Sequence, residues 1–341
     1  MEKYVISMYD KGQNEAGPKA KVDVEDILAA QGFKRLNFYF SGARKAKVIS
    51  LRQRVWDIPQ KIKKIQPELV IFQYPTFDQM TDRAILKALR RYTKAKIVFL
   101  IHDVESLRTR RADRLYQQTE LDFLAQGDGL IVHNEKMKQW FKEHKIAKPL
   151  VSLEIFDYLN PVALPKEHHF ERTLCYAGNL QKADFLQKLS LTHKMSLFGP
   201  NPKDHYPTAL SYEGSFAPDE LPKKLTQDLG LIWDGTSLER CDGVYGEYLK
   251  YNDPHKASLY LSSGLPVIIW QEAALADFVA QNKVGLCVAD LTELDERLTG
   301  LEQAEYEQMW HNTQLIAQKM RQGEYLKTAV QKICEQIEVK I

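Results

Sequence analysis

The sequence predicts an α/β protein built from two doubly wound parallel sheets. Three observations lead there. Short apolar runs alternate with helical patterns through the first 153 residues, and an irregular, proline-containing segment follows. The alternation then starts again. A chain of 341 residues also favours two domains over one core.

In the first half, the runs at Tyr4–Met8, Leu36–Phe40, Leu69–Phe72, Ile97–Ile101, Gly129–Val132 and Pro149–Leu153 read as strands. Helical periodicity lies between them: about Val22–Gln31, Leu51–Ile65, Asp78–Tyr92, Asp113–Gln126 and Glu135–His144. A polar loop is expected from Tyr9 to Lys21. Ligands of such sheets bind beyond the carboxyl ends of the strands. That rule draws attention to Met8–Lys19, Gln73–Phe77 and His102–Arg108.

The stretch Asp157–Arg172 has prolines and no period, so it reads as the linker between a domain at 1–156 and another at 173–341. In the second half, strands are expected at Thr173–Ala177, Met195–Phe198, Leu229–Trp233, Val267–Ile269 and Gly285–Ala289. Helices are expected near Ala183, at Pro218–Glu220, from Pro254 to Ser263 and at Ala274–Gln281, with a mostly helical C-terminus. A long loop should fill Asp234–Asp253.

Composition narrows the class. Hydrophobic residues make up 44% and charged residues 27%, which is ordinary for a globular protein. No apolar run approaches the roughly 18–20 residues that span a bilayer, and MEKYVISMYD has no signal-peptide pattern. The expectation is a cytoplasmic protein. Cys175, Cys241, Cys287 and Cys334 are scattered without metal spacing. Net charge is +2, yet between Phe33 and Gln66 ten basic residues face the single acid Asp57. A solvated face and peripheral contact with an anionic membrane both fit that run. Nucleic acid fits less well, because no binding motif accompanies the charge.

The segment YLKYNDPHKASLYLSSGLPVIIW, Tyr248–Trp270, carries the sharpest local signal. Pro254 suits the first helical position, and Asn252 or Asp253 could cap it. Amides at a helix start attract phosphate, and Lys256 adds a full charge there. The other reading is an ordinary helix start with a lysine nearby.

An ordered series now becomes visible: YAGN at Tyr176–Asn179, FGP at Phe198–Pro200, YEGSFAPDEL at Tyr212–Leu221, GLIWDG at Gly230–Gly235 and HKASLYLSSGLPVI at His255–Ile268. With VIFQYPTFD at Val70–Asp78 and IVFLIHDVESLR at Ile97–Arg108, it resembles the GT-B glycosyltransferases. The resemblance is to the bacterial glucosyltransferases that extend N-acetylglucosamine on serine-rich repeat adhesins and to their galactofuranosyltransferase-like relatives. It covers nearly the whole chain. It implies two Rossmann-like domains across a cleft, a UDP-sugar donor, a glycosylated protein or glycan acceptor, and a homo-oligomer. Glucose or N-acetylglucosamine is the expected sugar.

The resemblance also implies roles. Pro254, His255, Lys256, Ala257 and Ser258 would form the diphosphate site, and Lys182 would meet the same phosphates. Phe216 would lie near the base, and Ala16 and Gly17 in a loop would let the ligand approach the backbone. From their place at strand ends rather than from the resemblance, His102 or Asp103 would take the acceptor's proton if the reaction inverts the anomeric centre. The other reading is an aspartate cap beside a packed histidine. By position too, Gln73 and Thr76 would bind the acceptor. No metal or other cofactor is expected, and no DxD triplet occurs. The Glu-x7-Glu motif of many retaining relatives is absent, since that region reads YLKYNDPHK. A non-catalytic subunit serving a partner transferase, or a nucleotide-sugar epimerase, would use the same architecture.

Overall fold

The computed structural model describes residues 1–10, 16–40, 51–76 and 78–340. The chain divides into two compact units, Met1–Leu153 with Leu326–Ile341, and Glu154–Tyr325. Each is built on its own parallel sheet.

The first unit contains β1 (Lys3–Asp10), β2 (Lys34–Phe40), β3 (Leu69–Tyr74), β4 (Lys96–Ile101), β5 (Gly129–Val132) and β6 (Leu150–Ser152), in the order β2-β1-β3-β4-β5-β6. Every pairing is parallel. The apolar runs follow from burial on both faces: β3 is buried at every position, and β4 at all but Lys96. Helices α1 (Ala16–Ala30), α2 (Ile58–Ile65), α3 (Gln79–Tyr92), α4 (Arg114–Leu124) and α5 (Glu135–Glu143) make the crossovers. Asp78, Asp113 and Asn134 start three of them by accepting from the amides of Met80, Tyr116 and Met137. A π-type turn, Gln53–Asp57, precedes α2.

The second unit contains β7 (Leu174–Ala177), β8 (Met195–Phe198), β9 (Leu210–Gly214), β10 (Leu229–Ile232), β11 (Val267–Trp270) and β12 (Gly285–Val288). Their order is β12-β11-β10-β7-β8-β9, again all parallel. Helices α6 (Gly243–Tyr248), α7 (His255–Ser262), α8 (Ala276–Asn282), α9 (Leu294–Thr299) and α10 (Gln303–Arg321) surround it. The winding direction reverses between β1 and β3 in one sheet and between β7 and β10 in the other. Those two reversals mark where a ligand can approach.

Several elements differ from expectation. Helix α1 begins at Ala16, so Ala16 and Gly17 lie in its first turn and not in an open loop. Pro18 favours that start, because its fixed φ suits the first turn and a missing N–H is harmless there. Residues 11–15 and Phe77, also singled out in the sequence, lie outside the described residues. Near Ala183 there are only the 3-10 turns Leu180–Lys182 and Asp184–Gln187, and Leu221–Lys224 is a further one. The expected loop at Asp234–Asp253 contains α6.

The C-terminus departs most. Helix α11 (Glu324–Gln336) falls from Leu326 onward in the first unit, where Ile333 packs so closely on β5 that a Cβ at Gly129 would meet it at 2.8 Å. The stretch 157–172 has neither helix nor strand and belongs to the second unit.

Two motif glycines have a packing cause. Gly230 faces Tyr260, whose ring atoms would lie 2.4 Å from an added Cβ. That ring reaches across β10, and its hydroxyl accepts from the Ala177 amide at 2.5 Å. Gly199 has φ +136° and presses on the Gly178 carbonyl, 1.8 Å from where a Cβ would sit. Gly199→Ala should therefore destabilise the second unit by at least about 1–3 kcal/mol from backbone strain alone, measured by urea unfolding. A loss below that range would mean that this edge rearranges freely.

Candidate functional site

In the second unit, polar groups converge at the β7/β10 reversal. Lys256, in the first turn of α7, donates to Asp234 Oδ1 at 2.8 Å, to the Tyr176 hydroxyl at 3.1 Å and to the Trp233 carbonyl at 3.3 Å. Its ammonium lies 4.5 Å from the centre of the Tyr176 ring. The Tyr176 hydroxyl donates in turn to Asp234 Oδ1 at 3.1 Å. The side chains of Lys256 and Asp234 are only 13% and 14% exposed. Lysine, aspartate and tyrosine thus form one half-enclosed knot at the carboxyl ends of β7 and β10.

Pro254 is the N-cap of α7, with φ −68° and ψ 130°, and offers no side-chain cap of its own. Its place one residue earlier than expected follows from that ψ, which is extended. Ala257 is fully buried and its amide donates to the Pro254 carbonyl at 2.8 Å. Ser258 is 1% exposed, and its hydroxyl has no hydrogen-bond partner among the described residues. A buried hydroxyl without a partner is costly unless a ligand or water completes it. The His255 ring lies 5.2 Å from that of Tyr158.

Lys182 reaches the same edge from the other side of the reversal. Its carbonyl accepts from the Gly235 amide at 3.2 Å, and its ammonium lies 3.6 Å from the Tyr245 ring centre. Tyr245 comes from α6, an element that the sequence reading lacked. Phe216 is half-buried beside Phe198 at 6.3 Å, with the Lys224 ammonium 5.3 Å from its ring centre.

In the first unit, a chain of hydrogen bonds crosses the ends of β1, β3 and β4. Gln73 is fully buried; its amide nitrogen donates to Ser7 Oγ at 2.6 Å and to the Lys21 carbonyl at 3.2 Å. Its oxygen faces His102 Nε2 at 2.7 Å. Because that oxygen can only accept, His102 carries its proton on Nε2, which makes Nδ1 the basic nitrogen. Gln73 was expected to contact the acceptor; its amide is instead engaged inside the fold. Asp103 pairs with Arg108 at 3.0 Å. Thr76 is 6% exposed, and its amide donates to Asp82 at 3.1 Å.

Two buried charges lie below that edge. Lys21 donates to the Pro75 carbonyl at 2.9 Å, and burial lowers its pKa to about 8 against the pull of Asp82 and Asp103. Burial raises Asp82 to about 7, opposed by its bonds from Thr76 and by Lys21. His133, enclosed at the end of β5, donates through Nε2 to the His102 carbonyl at 3.0 Å, and burial lowers its pKa to about 4. Among the described residues, no three His, Cys, Asp or Glu side chains gather as a metal site, and no helix is long and apolar enough to cross a membrane.

Residues 2–155 match the family model described as glucosyltransferase 3-like, N-terminal domain, and residues 174–333 its C-terminal domain counterpart. The beta-1,6-galactofuranosyltransferase WbbI of Escherichia coli (strain K12) is 32% identical over 352 residues, covering 99% of this chain and 100% of that one. This chain belongs to the glucosyltransferase 3-like family. It is a glycosyltransferase with the GT-B fold. Glucosyltransferase 3 of Streptococcus gordonii is a second similar protein, 25% identical over 332 residues and 96% of each chain. An α,α-trehalose-phosphate synthase (UDP-forming) from Burkholderia vietnamiensis shares the fold, with a TM-score of 0.61 at 12% identity over 98% of this chain and 99% of that one.

The partners that the sequence reading missed were inside quoted motifs. Tyr176 stands in YAGN and Asp234 in GLIWDG, yet nothing in their spacing from Lys256 announces a contact across 80 and 22 residues. Ser7, Lys21 and Asp82 had no motif at all.

Two outcomes follow from this geometry. Lys256→Ala leaves Asp234 without its cation, so unfolding free energy should fall by about 1–3 kcal/mol; an unchanged urea midpoint would refute the knot. The Asp82 carboxyl has a raised pKa, so it stabilises the fold below its ordinary range and loses that contribution as pH rises to about 7. His133, with a lowered pKa, has the opposite slope between about 4 and its ordinary 6.5. Asp82→Asn removes only the first slope, so its stability relative to the parent should increase from pH 4 to 7. A constant difference across that range would contradict a buried, protonated Asp82.

Proposed function

We propose that this glycosyltransferase moves a hexose from a UDP-sugar onto a sugar already carried by a glycan or protein, without a metal ion. The observation that carries the reading is the Lys256 knot at the start of α7, beside the Ser258 hydroxyl, which has no partner among the described residues. A diphosphate there would meet amide dipoles, an ammonium and a buried hydroxyl together. Those groups stabilise the charge that accumulates on the leaving UDP, and so lower the barrier to breaking the sugar–oxygen bond. Lys182 adds a second cation at this edge. Its cation–π contact with Tyr245 must loosen for it to reach a phosphate.

Uracil is assigned to Phe216, whose ring is half-buried and whose other contacts are Phe198 and Lys224. In the first unit, His102 is assigned the acceptor's proton. Gln73 fixes the tautomer in which Nδ1 accepts, while Asp103 is engaged by Arg108. Thr76 is assigned to the acceptor side. The hexose class draws support from the two similar proteins, one named for galactofuranose and the other for glucose. Glucose and N-acetylglucosamine differ by one polar substituent, which a few pocket contacts discriminate.

UDP should raise the melting temperature in the presence of EDTA, since a ligand bound only by the native state stabilises it. A strict need for magnesium or manganese would end the metal-free proposal. Calorimetry of Lys256→Ala should show UDP binding weakened by about tenfold to a hundredfold, the value of a charge-assisted hydrogen bond of roughly 1.5–3 kcal/mol. Uridine should bind variant and parent alike. Equal loss for both ligands would assign Lys256 to pocket shape alone, and no loss for either would remove it from the diphosphate site.

A further inference from the structure

The π-type turn Gln53–Asp57 buries none of its residues, yet it carries Val55 at 66% exposure and Trp56 at 61%. Leu51 precedes it at 58% exposure, and Met80, on α3, is 62% exposed. The Met80 sulfur accepts from the Arg54 guanidinium of this turn at 3.4 Å. Leu51, Val55 and Trp56 therefore stand in solvent on one short stretch of chain, with the exposed Met80 tied to the same turn through Arg54. A tryptophan left that exposed forgoes much of the stabilisation that burial would give. Scattered apolar residues on a surface need no explanation, but a contiguous set does.

The turn is not loose. Arg54 is only 18% exposed and holds Asp78 at 2.6 Å, while its Nε donates to Thr81 at 3.2 Å. Asp78 is itself the N-cap of α3. The apolar residues are thus presented by a fixed scaffold. Basic residues frame them: Arg52 is exposed beside Val55 and Trp56 in sequence, and Lys63 and Lys64 are exposed on α2. Trp56 and Lys63 are seven residues apart and share a face, with the buried Ile58 and Ile62 on the opposite one.

We infer that this surface docks the first unit onto an anionic lipid bilayer. An aromatic and aliphatic tip flanked by lysine and arginine matches the layered chemistry of that boundary. The rings and aliphatic chains enter the headgroup–acyl zone, and the cations remain among the phosphates. Arg52 on this turn and Lys61, Lys63 and Lys64 on α2 are exposed, so the charge here complements a negative surface. A second copy of the chain is a poorer occupant. A two-fold contact through this patch would set Arg52, Lys63 and Lys64 against their own duplicates. The patch also adjoins the working edge of its sheet: Gln53 donates to the carbonyl of Tyr39, at the carboxyl end of β2, beside the ends of β1 and β3.

The test uses the full chain and sedimentation with vesicles, and needs no turnover. The parent should pellet with phosphatidylcholine vesicles containing about 30% phosphatidylglycerol and remain in solution with pure phosphatidylcholine. Trp56→Ser should lower the partition about tenfold or more. Lys63→Glu with Lys64→Glu should lower it at least about thirtyfold, at roughly fivefold per charge removed. All these positions are exposed, so circular dichroism and melting temperature should match the parent. Three results would overturn the inference: no pelleting with anionic vesicles, equal pelleting with neutral ones, or variants that pellet like the parent. A parent oligomer that Trp56→Ser dissociates, without vesicle binding, would assign the patch to contact between copies.

Discussion

A parallel strand buried on both faces can place polar side chains only at its ends. Both sheets of this protein obey that constraint, and the rest of the structure follows from it. The middles of β3, β4, β7, β10 and β11 are continuous apolar runs, so hydrogen-bonding chemistry collects where the strands stop. At the carboxyl ends the chain turns into helices whose first amides are unsatisfied. The two winding reversals then leave room there for a ligand. Lys256, Asp234 and Tyr176 occupy one such place, and Gln73, His102 and Ser7 the other.

The two edges solve the same problem in different chemical ways. In the second unit a lysine, an aspartate and a tyrosine balance charge locally, so the resting knot is neutral overall although each ion is half-enclosed. An incoming diphosphate would bring the negative charge that makes the cation useful. In the first unit the groups are mostly neutral donors and acceptors. The buried ions Lys21 and Asp82 stand one layer below, with pKa values drawn toward neutrality by burial. A glutamine that can act in only one sense sets the histidine tautomer, which requires no net charge. A leaving diphosphate calls for cations, while proton transfer from a hydroxyl calls for an oriented neutral base. On the proposed function, the two edges differ as those tasks differ.

The surface of the first unit extends the division of labour. Its exposed turn is fastened to α3 by Arg54, an arginine that the sequence counted among ten similar charges. Only the fold separates that structural arginine from the exposed Arg52, Lys63 and Lys64. Likewise, Ile58 and Ile62 disappear into the core while Val55 and Trp56 do not.

The sequence by itself determined the two parallel sheets, most strand positions, the helix start at Pro254 and the family resemblance. It could do so because these rest on local signals. Buried strands must be apolar, and helix starts have characteristic residues. Contacts between distant segments were decided only by tertiary structure. The Asp234 and Tyr176 partners of Lys256, the inward turn of Gln73 and the cation–π pair of Lys182 with Tyr245 belong to that class. So does the return of α11 to the first unit, where Ile333 packs against Gly129. None of these leaves a period or a motif in the chain. Each depends on which strand lies beside which, and that order is set when the sheets assemble.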